Sequence, residues 1–225
     1  MSVLALTMGE PAGIGGDIAL RAWNGRDANR VPPFVMIDDA DRLRALAARL
    51  SLAVPVREVA SPAEAEAAFA HCLPVLHQPL AVAVEPGRPD PANVPMVRAA
   101  IERAVGLCRT GETAGLVTNP IHKHVMYQGG FAYPGHTEFL AALLGDARHR
   151  EVMMLACPEL RVVPVTIHVG LAEAVRTLSR GDIVAVGRVV DRALRTDFGI
   201  GRPRLAVAAL NPHAGENGLF GDEEA

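Results

Sequence analysis

Residues 3–50 run Val3-Leu4-Ala5-Leu6-Thr7, a Gly/Pro-rich turn, a helical stretch over 13–22, then Phe34-Val35-Met36-Ile37 and a second helical stretch over 40–50. A short continuous apolar run bounded by turn formers is how a strand buried on both faces reads, whereas a half-exposed strand alternates. The same rhythm continues. Strands are expected at 73–76, 115–118, 152–156, 160–168 and 204–210, and helices at 62–69, 97–109, 137–144, 171–178 and 181–198. Apolar strands separated by helices predict an α/β fold with a largely parallel sheet and helices on both faces. Ser61-Pro62-Ala63-Glu64 has capping-box form, with Ser61 as N-cap, Pro62 in the first helical position and Glu64 able to reach back. Five prolines between 78 and 95 mark a loop between two parts of the sheet, and Asn119-Pro120 punctuates the end of the strand at 115–118. The expected division is a first α/β lobe over 1–118 and a second over 119–225.

A formal net charge of −3 gives no electrostatic footprint for nucleic acid or an anionic membrane. No apolar run approaches the roughly 18 residues of a membrane span. The N-terminus lacks the basic region of a secretory signal, so a cytoplasmic protein is expected. Cys72, Cys108 and Cys157 are odd in number and lie in apolar surroundings, which predicts reduced core thiols. Trp23, on a helix of apolar spacing, is expected in the core.

Three loops carry histidine beside Gly, Pro or Thr. They are Tyr133-Pro134-Gly135-His136-Thr137-Glu138-Phe139, Val165-Thr166-Ile167-His168-Val169-Gly170-Leu171 and Leu210-Asn211-Pro212-His213-Ala214-Gly215-Glu216. In open α/β sheets the ligand crevice lies off the carboxyl ends of the strands, so His168 and His213, each ending an expected strand, should face one crevice. Two neutral imidazoles there suit a divalent transition metal such as zinc, cobalt or nickel; a catalytic site needs a third protein ligand and an open position. A hydrogen-bonded structural histidine is the competing reading for each.

These loops, with Leu6-Thr7-Met8-Gly9-Glu10-Pro11-Ala12-Gly13-Ile14-Gly15, Leu116-Val117-Thr118-Asn119-Pro120-Ile121-His122-Lys123 and Val152-Met153-Met154-Leu155-Ala156, occur in an order and spacing that resembles the 4-hydroxythreonine-4-phosphate dehydrogenase family across essentially the whole chain. The resemblance implies two α/β lobes around a cleft, as in isocitrate and isopropylmalate dehydrogenases, and a homodimer that completes the active site. It implies His136 and Thr137 as substrate-binding residues and His168 and His213 as metal ligands. It further implies NAD or NADP as cofactor, with zinc, cobalt or magnesium as the divalent metal. The implied reaction oxidises a phosphorylated 3-hydroxy amino acid, whose 3-oxo product decarboxylates to 3-amino-2-oxopropyl phosphate in vitamin B6 biosynthesis. Threonate or erythronate phosphates and aromatic cis-dihydrodiols are the alternative substrates within the same fold family.

The family's third ligating histidine and the Lys, Asn and Arg that hold its substrate have no counterpart in the 225 residues. Phe220-Gly221-Asp222-Glu223-Glu224-Ala225 reads as the start of a helix that does not follow. A truncated chain is therefore expected, and an inactive remnant is the competing reading of another class.

Gly13-Ile14-Gly15-Gly16-Asp17-Ile18 followed by Asp38 imitates a dinucleotide fingerprint, but Ile18 stands where the third glycine belongs, so a tight strand-to-helix turn is expected instead. Lys123 is either a phosphate or cofactor contact or an exposed loop residue. His122 and His124 are expected to be surface or structural, as are His71, His77 and His149. Glu138 is either an orienting partner for a ligating histidine or a first-turn helix acid.

Overall fold

A computed structural model of the chain describes residues 3–145 and 151–224. Contacts divide the chain into two compact units, Met1–Gly145 and Asp146–Ala225. The Asn119-Pro120 punctuation lies inside the first unit. His149 lies outside the described residues.

The first unit is built on five strands: β1 (Leu4–Thr7), β2 (Phe34–Asp38), β3 (Val56–Glu58), β4 (Leu73–His77) and β5 (Gly115–Val117). They pair in the order β3-β4-β2-β1-β5, every pair parallel, as the apolar runs predict. Between them come α1 (Gly15–Asn24), α2 (Arg26–Asn29), α3 (Ala40–Arg49), α4 (Pro62–Ala68) and α5 (Val94–Arg109), and after β5 follow α6 (Lys123–Gln128) and α7 (His136–Leu144). Alternate strand residues feed two cores. Ala5, Val35, Ile37 and Leu76 pack with α5, α6 and α7, while Leu6, Phe34, Met36 and Val75 pack with α1 and α3. Both faces are covered, and the central strand β2 is buried throughout.

Ser61 caps α4, its Oγ accepting from Glu64 N at 3.2 Å, while Glu64 reaches back one residue beyond the N-cap, its Oε2 accepting from Ala60 N at 2.9 Å. Trp23 is buried, and its indole N–H donates to Phe69 O at 2.8 Å. The Pro-rich excursion is organised by buried Asn93, whose Oδ1 accepts from Ala81 N and Val82 N at 3.0 and 3.1 Å.

In the second unit, the expected strands at 152–156 and 160–168 shrink to a two-residue antiparallel pair, β6 (Leu155–Ala156) and β7 (Arg161–Val162). The segment at 204–210 pairs with no strand among the described residues. An apolar run becomes a strand only where a neighbour accepts its backbone hydrogen bonds; here Leu205 is 47% and Val207 71% exposed. Helices α8 (Leu171–Thr177) and α9 (Arg180–Thr196) form near their expected positions. Ser179 caps α9 by accepting from Asp182 N at 3.1 Å. Val186, Val190 and Leu194, one helical turn apart, make its small core with Val152, Met154, Val163, Val165 and Ile200.

All three cysteines are free, Cys72 buried and Cys108 half-buried, but Cys157 is exposed rather than in a core. It follows the edge of the two-residue ladder, where no layer covers it. The acidic stretch Asp222-Glu223-Glu224 is a turn rather than a helix start. Glu224 Oε1 accepts from Asn211 N at 2.8 Å, which ties the acid to the preceding loop. Among the described residues no helix is long and apolar enough to cross a membrane.

Candidate active site

At the carboxyl ends of β1 and β5 two loops interlock. Gly9 takes φ +67°, and a Cβ there would stand 2.6 Å from Pro120 O and 2.7 Å from Asn119 Cβ, so only glycine fits. Glu10 N donates to Pro120 O at 2.8 Å, and buried Asn119 donates through Nδ2 to Thr7 O at 2.9 Å. Gly15 lets α1 approach the sheet, since a Cβ would meet Met8 O at 2.6 Å. Asp38, in the place a ribose-binding acid would take, is wholly buried and bonded to the Arg42 guanidinium. Burial pushes its carboxyl up, against the pull of Arg42 and the Asp39 N–H. Arg42 also donates to Pro11 O at 3.0 Å, tying α3 to the loop after β1. The carboxylate is consumed inside the fold, in keeping with a structural turn.

A groove of this unit, 490 Å³, is lined by Pro11, Asp39, Arg42, Arg49, Leu80 and Val82 among others, and none of its lining residues is a histidine. The chemistry-bearing residues lie elsewhere, at α6 and α7. His136 opens α7, and its N-cap, Gly135, has no side chain with which to cap the helix. Phe139 anchors the helix in an aromatic cluster with Phe131 and Tyr133, at centroid separations of 4.9 and 5.0 Å. That anchoring holds His136 and half-buried Thr137 in place on the first turn, with Glu138 the first-turn acid. His136 Nε2 is shut off from solvent without a hydrogen-bond partner. Burial, and then the charge of Lys123, lower the imidazole's pKa.

Sequence reading left Lys123 undecided, because its nearness to Gly135 and His136 arises from the fold of the α6–α7 connection. His122 caps α6, its Nδ1 accepting from Val125 N at 3.4 Å, and His124 is exposed. His77 Nδ1 accepts from Ala40 N at 3.2 Å, a structural role as expected, and His71 is exposed.

In the second unit His168 is exposed with φ +58°, a left-handed conformation uncommon outside glycine. Its neighbours Ile167 and Val169 line a groove of 270 Å³ with Glu151, Thr166, Thr177 and Asp182, which His168 itself does not line. His213 sits in a loop where Ala214, Gly215, Glu216 and Asn217 all have positive φ. Its Nδ1 stands 2.6 Å from Glu216 Oε1, and its ring packs on Phe220 at 5.1 Å. The Glu216 carboxylate on Nδ1 fixes the orientation of the His213 ring. Among the described residues no three His, Cys, Asp or Glu side chains gather in metal-binding geometry.

The family model described as pyridoxal phosphate biosynthetic protein PdxA matches residues 30–225. The chain belongs to the PdxA family. The 4-hydroxythreonine-4-phosphate dehydrogenase of Erythrobacter litoralis is 48% identical over 221 residues, covering 98% of this chain and 66% of that protein. That of Methylorubrum populi is 48% identical over 226 residues, with 98% and 64% covered. The crystal structure of 4-hydroxythreonine-4-phosphate dehydrogenase from Klebsiella pneumoniae superposes with a TM-score of 0.88 at 36% identity, over 100% of this chain and 68% of that one. A terephthalate 1,2-cis-dihydrodiol dehydrogenase from Burkholderia xenovorans matches at TM-score 0.65 and 27% identity, over 98% and 65%. The chain thus spans a little under two thirds of the length of the curated PdxA relatives it matches.

Proposed function

We propose that this chain carries the greater part of a 4-hydroxythreonine-4-phosphate dehydrogenase. The enzyme would oxidise 4-phosphohydroxy-L-threonine with NAD or NADP to 2-amino-3-oxo-4-phosphooxybutanoate, which decarboxylates to 3-amino-2-oxopropyl phosphate on the way to pyridoxal 5′-phosphate. The observation that carries this reading is 48% identity to enzymes of that name over 98% of the chain, through all three histidine loops. The proposal places the enzyme in the cytoplasm as a homodimer, with lobes over 1–118 and 119–225.

His136 and Thr137 bind the substrate from the first turn of α7, whose N-cap, Gly135, has no side chain to offer it. His168 and His213 hold a divalent ion, zinc, cobalt or magnesium, together with a third ligand from outside the 225 residues. When bound, the ion would supply Lewis acidity to the substrate hydroxyl whose carbon is oxidised. Glu216 fixes the ring of His213, and His136, kept neutral by burial, meets substrate as a hydrogen-bonding group rather than as a cation.

The test is NAD reduction with 4-phosphohydroxythreonine and each metal, by the protein its gene encodes and by the 225-residue chain. Activity that requires a divalent metal and is abolished by His168→Ala or His213→Ala is expected; retained activity in either variant would remove the metal assignment. The likeness to a dihydrodiol dehydrogenase favours a second reading, oxidation of an aromatic cis-dihydrodiol. Erythronate and threonate phosphates and a dihydrodiol therefore belong in the same assay. Absence of turnover with all of them would favour the inactive remnant.

A further inference from the structure

We infer that Lys123 belongs to the substrate surface, as the cation that holds the phosphate group beside His136 and Thr137. The inference rests on the phosphorylated substrate proposed above and adds a residue to it.

Lys123 is the first residue of α6, yet its side chain reaches the N-cap of α7. A Cβ built on Gly135 would lie 3.9 Å from both Lys123 Cε and Nζ, so the ammonium stands at the entrance to α7. Lys123 is exposed, and among the described residues no carboxylate takes it as an ion-pair partner. Beside it, His136 Nε2 has neither solvent nor a protein hydrogen bond. A polar atom so placed costs free energy, and it sits on the first turn of α7 within electrostatic reach of the Lys123 ammonium.

The division of labour follows from charge. Burial and Lys123 both disfavour the imidazolium, so His136 brings no positive charge of its own at neutral pH. Glu138 Oε2 lies 3.4 Å from the same Gly135 point, and Lys123 supplies the positive charge at this entrance. Lysine binds phosphate as a point charge, and the N–H groups of the first turn of α7 point the same way.

Inorganic phosphate is the probe, titrated into the 225-residue chain at constant ionic strength while the His136 ring resonances are followed by NMR. In the parent, a saturable shift is expected. Lys123→Met should weaken phosphate by about tenfold, the loss of one charge-assisted hydrogen bond. Lys123→Arg should keep most of the affinity, and Arg49→Met, in the separate groove, should leave it unchanged. Matching melting curves for parent and Lys123→Met would confirm that the exposed substitution leaves the fold intact. No saturable shift in the parent, or an unchanged affinity in Lys123→Met, overturns the inference. Because binding is read directly, a failed dehydrogenase assay would sink the proposed reaction without touching this result.

Discussion

Burial, and behind it the charge of Lys123, set the His136 imidazole below its ordinary value of 6.5, and this has a consequence for stability. Above pH 6.5 the ring is neutral in folded and unfolded chains alike, and its contribution is fully present. As the pH falls below 6.5 the unfolded chain takes up a proton that the folded one resists, so stability is lost through the folded pKa. Urea unfolding of parent and His136→Gln across this range should show the parent losing more stability on acidification. Parallel pH profiles would mean that the ring is not held neutral. His136 and His213 were legible as motif histidines, because Gly and Pro around a histidine mark a loop built for a purpose. The partners that define them were not. Glu216 sits three residues from His213, but a run of left-handed residues turns it back onto Nδ1. Lys123 reaches Gly135 only through the fold of the α6–α7 connection.

At the scale of elements, Asp38 and Arg42 join the end of β2 to α3 and, through Pro11, to the loop after β1. Arg42→Met would leave a fully buried carboxylate without its cation, a change that typically costs about 3–5 kcal/mol. Adding Asp38→Asn should recover most of that loss, because it removes the stranded charge as well. A double-mutant cycle by chemical denaturation checks this, and a loss in the double variant equal to the sum of the two single losses would show that the pair is not coupled. Sequence found β1, β2, β4 and β5 because each is apolar along its length. It missed β3, an edge strand of three residues in which Arg57 and Glu58 are exposed and only Val56 carries an apolar signal. It overread the second unit for the opposite reason: the run at 204–210 is apolar enough for a strand but has no ladder to join among the described residues.

Across the molecule, buried apolar side chains are distributed unevenly. Among the described residues, Val186, Val190 and Leu194 are the only ones in Asp146–Ala225, whereas Met1–Gly145 holds two cores, one on each face of its sheet. Three buried aliphatic side chains contribute at most about 1.5–3 kcal/mol each before the entropy of ordering the chain is subtracted. Leu171, Leu219 and Val207 meanwhile stand 82%, 73% and 71% exposed. Local opening follows local burial, so the second unit should open well before the five-stranded sheet does. Hydrogen exchange followed by mass spectrometry on the 225-residue chain is expected to show α9 amides exchanging at least about a hundredfold faster than those of β1, β2 and β4. That ratio corresponds to an opening difference of about 3 kcal/mol. Equal protection of α9 and the sheet would mean that burial by these three side chains does not set the stability of the second unit.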